Sequence, residues 1–176
     1  MVGLGLMSET STNIKVVNSI SELDREEWDK CAIFHSDDDS NETADPFTCY
    51  DFLHALEKSG SVGEGTGWIP YHLAAFNNNK FVGAVPLYLK SNSQGEYIFD
   101  HNWAHAFERA GGRYYPKLQI SVPFTPVTGR RLLVSKNAPN NTASLLLQSA
   151  IALCKQNNLS SPVSYTHLTL PTNSGV

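Results

Sequence analysis

The side chains with most chemistry to offer lie close together in the second half of the chain: Asp100, Glu108, Tyr114 and Tyr115. A carboxylate can take a proton from an attacking amine, and a phenol can give one to an oxygen that is gaining charge. Asp100 or Glu108 is then the candidate base, and Tyr114 or Tyr115 the candidate donor or acid. Each also has a plainer reading. Asp100 stands where a helix can begin, so it suits an N-terminal cap. Glu108 can pair with Arg109 or Arg113 on a surface. The tyrosines can be packed rings with satisfied hydroxyls.

Other constellations are weaker. On a helix His101 and His105 share a face with Glu108 one turn on, a spacing that suits zinc or iron. Trp103 and Phe107 in the same stretch favour packing and surface polarity, so no metal is assigned. Asp37-Asp38-Asp39 lies in an acidic loop from His35 to Asp45 that lacks the alternation and glycine of a calcium loop. Gly63, Gly65 and Gly67 follow a helix and precede a strand, the wrong order for a phosphate loop, which must open a helix.

The elements that must hold these residues can be read from pattern. Ile14–Val17 is a short strand, and Ser21 caps a helix whose Leu23, Trp28, Cys31 and Ala32 share one face. Asp45-Pro46 opens a second helix that stops near Gly60. Residues 71–76 and 81–89 flank an asparagine-rich turn as a β-hairpin, with a bulge or bend near Gly83 and Pro86. Tyr97–Phe99 is a further strand, and Asp100 begins a helix ended by Gly111-Gly112. The proline-rich stretch from Arg113 to Gly129 is an ordered loop with one strand, Leu118–Val122. After Leu132–Val134, Asn141-Thr142 starts a helix lined by Leu145, Leu146, Ala150, Leu153 and Cys154.

The chain has 176 residues, 41% apolar and 17% charged, which is the balance of one globular domain. Its net charge of -4 offers no basic surface for DNA. No window reaches the roughly 20 apolar residues of a membrane span, and the opening lacks the basic and apolar regions of a signal peptide. Three well-separated cysteines, Cys31, Cys49 and Cys154, read as buried thiols. The expected location is the cytoplasm.

Three blocks carry a resemblance: DPFTCYDFLHALEKSGSVGEGTGWIPYHL, GAVPLYLKSNSQGEY and FDHNWAHAFERAGGRYYPKLQISVPFTPVTGRRLL. In order, they resemble a bacterial family of N-acyltransferases related to the Fem-type peptidoglycan aminoacyl transferases and to the wider GNAT-like fold. The resemblance implies an α/β (α+β) fold, a mixed and largely antiparallel sheet flanked by helices. It implies transfer of an acyl or aminoacyl group, from acyl-coenzyme A or aminoacyl-tRNA, to a small-molecule or cell-wall precursor amine. Its block here includes Asp100, Trp103, Glu108, Tyr114, Tyr115 and Lys117, but brings no catalytic assignment; His101 and His105 depart from its pattern. Gly129-Arg130-Arg131 is the nearest coenzyme A signature, yet lacks a second glycine and leads into a strand.

Residues 1–13 then read as a flexible leader and 14–161 as one GNAT-like half, with the second half missing. Residues 162–176 read as a non-native tail, because SYTHLTLPTN resembles translated sequencing adaptor. The corresponding expectation is a half-domain inactive alone. The alternative is a non-catalytic binding module whose bared interface self-associates.

Overall fold

The computed structural model describes residues 11–34, 43–96 and 100–164. Strand β1 (Thr12–Val17) opens the fold. A single 3-10 turn, Ile20–Glu22, leads to helix α1 (Arg25–Ala32). The expected cap at Ser21 is displaced in both directions. Ser19 and Glu22 form a reciprocal capping box around the 3-10 turn. Asp24 then caps α1 by accepting from Glu27 N at 3.0 Å. The apolar face is as read: Leu23, Trp28, Cys31 and Ala32 are buried.

A two-stranded pair, β2 (Ile33–Phe34) and β3 (Thr43–Ala44), follows, and the acidic run between them lies outside the described residues. Helix α2 (Tyr50–Lys58) begins four residues after Pro46, because Asp45–Thr48 forms a turn first. Strand β4 (Trp68–Pro70) follows the glycine loop. The hairpin is β5 (His72–Asn77) and β6 (Lys80–Val85), with Asn78 and Asn79 both at positive φ (48° and 62°), as a tight primed turn requires.

The expected irregularity is there. Ala75 faces Gly83 while Phe76 faces Phe81, so Val82 is an extra residue in β6. Gly83 is needed at that point, since a Cβ there would meet the Leu133 carbonyl oxygen at 3.0 Å. Pro86 does more than bend the strand. It separates β6 from β7 (Leu87–Lys90), and the two strands belong to different sheets.

The expected strand at Tyr97–Phe99 lies outside the described residues. Beyond it come α3 (His101–Arg109), β8 (Lys117–Ile120), β9 (Leu133–Val134), α4 (Thr142–Gln156) and β10 (Pro162–Ser164). One four-stranded sheet runs β1-β5-β6-β9, all antiparallel; the other runs β10-β8-β7-β4, with β10 parallel to β8. This is a mixed α+β fold with two open, mostly antiparallel sheets.

Period-two alternation divides the core. Ala74 and Ala84 turn towards α1 and Leu53 of α2, and Leu73 and Ala75 turn towards Leu146, Ala150 and Cys154 of α4. Leu87, Leu118 and Ile120 join the α4 side, so that face of the second sheet is apolar. The thiols do not all follow expectation: Cys31 and Cys154 are buried and free, but Cys49 is only half-buried. Burial pushes the Cys31 thiol up to about 12.

The register of α4 can be tested at adjacent positions. Leu146 is fully buried and Leu147 is 39% exposed. Leu146→Ala should lower stability by about 2–5 kcal/mol, and Leu147→Ala by less than about 1 kcal/mol, in urea unfolding. Equal effects would show that the helix is rotated from this register.

Candidate functional site

The other face of the second sheet is polar and still buried. In the β7–β8 pair Tyr88 stands opposite Gln119 and Lys90 opposite Lys117, and none of the four is more than 1% exposed. Like charges directly opposite across two strands repel. Two carboxylates from one connection answer them. Lys117 Nζ donates to Asp100 Oδ2 at 2.6 Å and lies 3.4 Å from Glu96 Oε2; Lys90 Nζ lies 3.8 Å from Glu96 Oε1. Lys90 also donates to the Gln94 carbonyl at 2.8 Å and rests 3.7 Å from the Trp68 ring centroid.

Three of the four expected site residues meet in this cluster. Asp100 stands at the N-cap position of α3 but makes no capping bond. Its carboxylate accepts from Tyr114 Oη at 2.9 Å, from Tyr115 Oη at 3.0 and 3.1 Å, and from Lys117. Both tyrosine rings sit within 5.2 Å of Lys117 Nζ and pack edge to face, 5.0 Å apart. The rings are half-buried and form the border between the charges and solvent. The Tyr115–Pro116 bond is cis.

Glu108 is not among them. It is exposed on α3, where Asn102, His105 and Arg109 line an open groove with it. The structure shows no ion pair between Glu108 and Arg109 or Arg113. Arg109 bonds the His105 carbonyl and Arg113 the Asn158 carbonyl. His101 Nδ1 lies 3.1 Å from Ser93 Oγ. Among the described residues no three His, Cys, Asp or Glu side chains gather as a metal site. Arg130 and Arg131 are engaged with the backbone: Arg130 donates to the Ile33 carbonyl, and Arg131 to those of Arg130 and Val127, 3.5 Å from Asp45.

Electrostatics follows from the geometry. Burial pushes the Asp100 carboxyl up, but hydrogen bonds from Lys117 and Tyr114 and the Lys117 charge outweigh it and hold it below its usual value. Burial lifts Tyr114 to about 12, helped by its bond to Asp100, and burial with the nearby Glu96 and Asp100 charges lifts Tyr115 too. Glu96 is raised by burial. Burial lowers Lys90 to about 8, with Glu96 resisting and Lys117 adding to the shift.

A second buried pair lies further along the same side. His72 Nε2 donates to Glu57 Oε1 at 3.2 Å while His72 Nδ1 accepts from Leu87 N, which fixes the tautomer. Glu57 also accepts from Ser19 Oγ at 2.6 Å and from Ile20 N. Burial raises the Glu57 carboxyl, but the bonds from His72, Ser19 and Ile20 prevail and lower it.

Sequence reasoning gave Lys117 no role and missed Lys90, Glu96, Glu57 and His72. The alternation Leu-Tyr-Leu-Lys and Lys-Leu-Gln-Ile was a signal, since it puts both lysines on one face of paired strands. Residues 19–173 match the model of the FemAB-like family, described as peptidoglycan biosynthesis/recognition. The chain belongs to this family. No curated protein and no solved structure matches it. Among the described residues no helix is long and apolar enough to cross a membrane.

Two titrations should expose the cluster. Lys90 has lost its proton above about 8 in the folded state, whereas the unfolded chain keeps it to 10.5, so unfolding free energy should rise with pH between these values. Lys90→Met should flatten that rise in urea unfolding; an unchanged slope would place the titration elsewhere. Asp100→Asn strands Lys117 and should cost about 3–5 kcal/mol at neutral pH. It should also remove the part of stability that the wild type loses as pH falls below the usual carboxylate value of 3.8. Unchanged stability in Asp100→Asn would mean that Lys117 does not depend on it.

Proposed function

We propose that this chain supplies the acceptor site of a transferase that moves an acyl or aminoacyl group onto an amine of a cell-wall precursor. The observation that carries this reading is the carboxylate of Asp100 holding two half-buried phenols at the edge of a buried charge cluster. Family membership supplies the link to peptidoglycan. Clusters of perturbed groups at a solvent border are where binding and acid–base work concentrate.

The geometry favours a particular division of labour. Asp100 is held ionised and its oxygens are occupied, so it is a poor base and a good anchor. Tyr114 and Tyr115 give their protons to it. Each phenol oxygen then keeps lone pairs for an incoming N–H, and a hydrogen bond to a carboxylate strengthens an oxygen as an acceptor. The two oxygens orient the amine; its proton leaves to solvent as the acyl carbon is attacked. Glu108 faces a different groove and is not on this path. The donor is acyl-coenzyme A or aminoacyl-tRNA, and no residue is assigned to it.

Acceptor binding tests the site without needing a donor. A soluble muramoyl-pentapeptide with a free amine should bind in calorimetry. Tyr114→Phe/Tyr115→Phe should weaken it by roughly tenfold or more, two lost hydrogen bonds at about 1 kcal/mol each. Full affinity in the double variant, at an unchanged melting temperature, would remove the tyrosines from the site. The other reading, a binding module without chemistry, predicts the same affinity and no label transfer from either donor class in any context that contains this chain.

A further inference from the structure

The polar sheet face has an inner end that the Asp100 cluster does not use. Tyr88 Oη and Gln119 Oε1 are buried and have no hydrogen-bond partner among the described residues. They belong to directly opposed residues of β7 and β8, so both side chains project from one face, beside Lys90 and Lys117. Neither is free to turn elsewhere. The Tyr88 ring is wedged edge-on against Trp68 (5.6 Å) and His72 (5.1 Å), and the Gln119 amide nitrogen is committed to Ser121 Oγ at 3.0 Å.

A buried donor and a buried acceptor left open side by side penalise folding and bring nothing in return until something fills both. The phenol can donate; the amide oxygen can only accept. A secondary amide is complementary, since its carbonyl accepts and its N–H donates. Val62 and Trp68 pack with Tyr88 and supply apolar wall for the groups on either side of such an amide. Over Tyr88 the cover is side chain rather than strand. Phe124, at φ 57° and 38% exposed, leans on Trp68 at 5.8 Å.

We propose that this face holds an inner subsite for one secondary-amide group, with Tyr88 Oη donating to its carbonyl and Gln119 Oε1 accepting from its N–H. Nothing in it depends on the Asp100 cluster. It stands or falls separately from the acceptor reading, although a peptide-bearing precursor offers such amides.

The test uses the whole chain with ring-labelled tyrosine, followed by NMR, and two probes: N-acetylalanine methylamide and N-acetylglucosamine. The Tyr88 ring signals should shift saturably with the first probe. A response to both would assign the site to N-acyl groups in general, and a response to the first alone to peptides. Gln119→Met should weaken the response roughly tenfold. Without probe, Tyr88→Phe should melt above wild type, because it removes an unpaired hydroxyl. A Tyr88→Phe variant that melts lower would show the hydroxyl already satisfied by ordered water and would overturn the proposal. So would a Tyr88 signal that neither probe moves, or undiminished binding in Gln119→Met.

Discussion

Two lysines face each other across β7 and β8 with almost no access to water, and much of the molecule is arranged around making that tolerable. Removing an ammonium from water costs several kcal/mol even after relaxation, and placing two together adds repulsion. Glu96 and Asp100 must therefore arrive on the same face. They do so from the connection that follows β7, which is folded back over its own strand. The position of α3 follows from this: its first turn is tied down through Asp100, which forgoes capping the helix to serve Lys117.

Backbone geometry makes the fold-back possible at a few defined points. Pro86 ends β6 and lets β7 enter a different sheet, so the residues after it can be covered from another side. Gly95, at φ 75°, passes beneath Trp68 and Phe124. A Cβ there would lie 2.4 Å from the Phe124 ring and 2.7 Å from Trp68 Nε1, so only glycine lets the loop bring Glu96 inward. Trp68 Nε1 in turn donates to the Gln94 carbonyl, which also receives Lys90. One loop carbonyl thus binds the sheet's aromatic and its ammonium together.

Local pattern carried the sequence reading as far as local physics reaches. The asparagine turn, the buried face of α1, the face of α4 and the irregularity near Gly83 are all properties of neighbouring residues, and all were legible. The Ser19–Glu22 capping box was legible too, yet a serine two residues on looked equivalent, because spacing alone does not show which hydroxyl meets the backbone. The site was legible as a list and not as a geometry. Asp100, Tyr114 and Tyr115 were singled out, but what joins them is Lys117, and what makes Lys117 exceptional is Lys90 across the ladder. That pairing depends on strands separated by a helix and two loops. A polar face on an alternating strand normally means solvent; here the covering layer, supplied from far along the chain, reverses the inference.

The order of groups across this face has a chemical consequence. Charges lie deepest, with Lys90 and Glu96 at 0% and 1% side-chain exposure, then Lys117 and Asp100, and then the two phenols at the border. The four charged groups can balance, two against two, so the cluster presents little net field to solvent. What it presents instead is polarisation: an ionised carboxylate draws both phenol protons inward and leaves electron-rich oxygens outward. Such an edge discriminates in favour of N–H donors and against anions, whose oxygens would meet oxygens. An amine acceptor is thereby distinguished from the carboxylates and phosphates that a cell-wall precursor also carries, without any cation at the surface to attract them. The buried lysines are then an electrostatic foundation for the phenols, and their desolvation is offset by the order it imposes on Tyr114 and Tyr115.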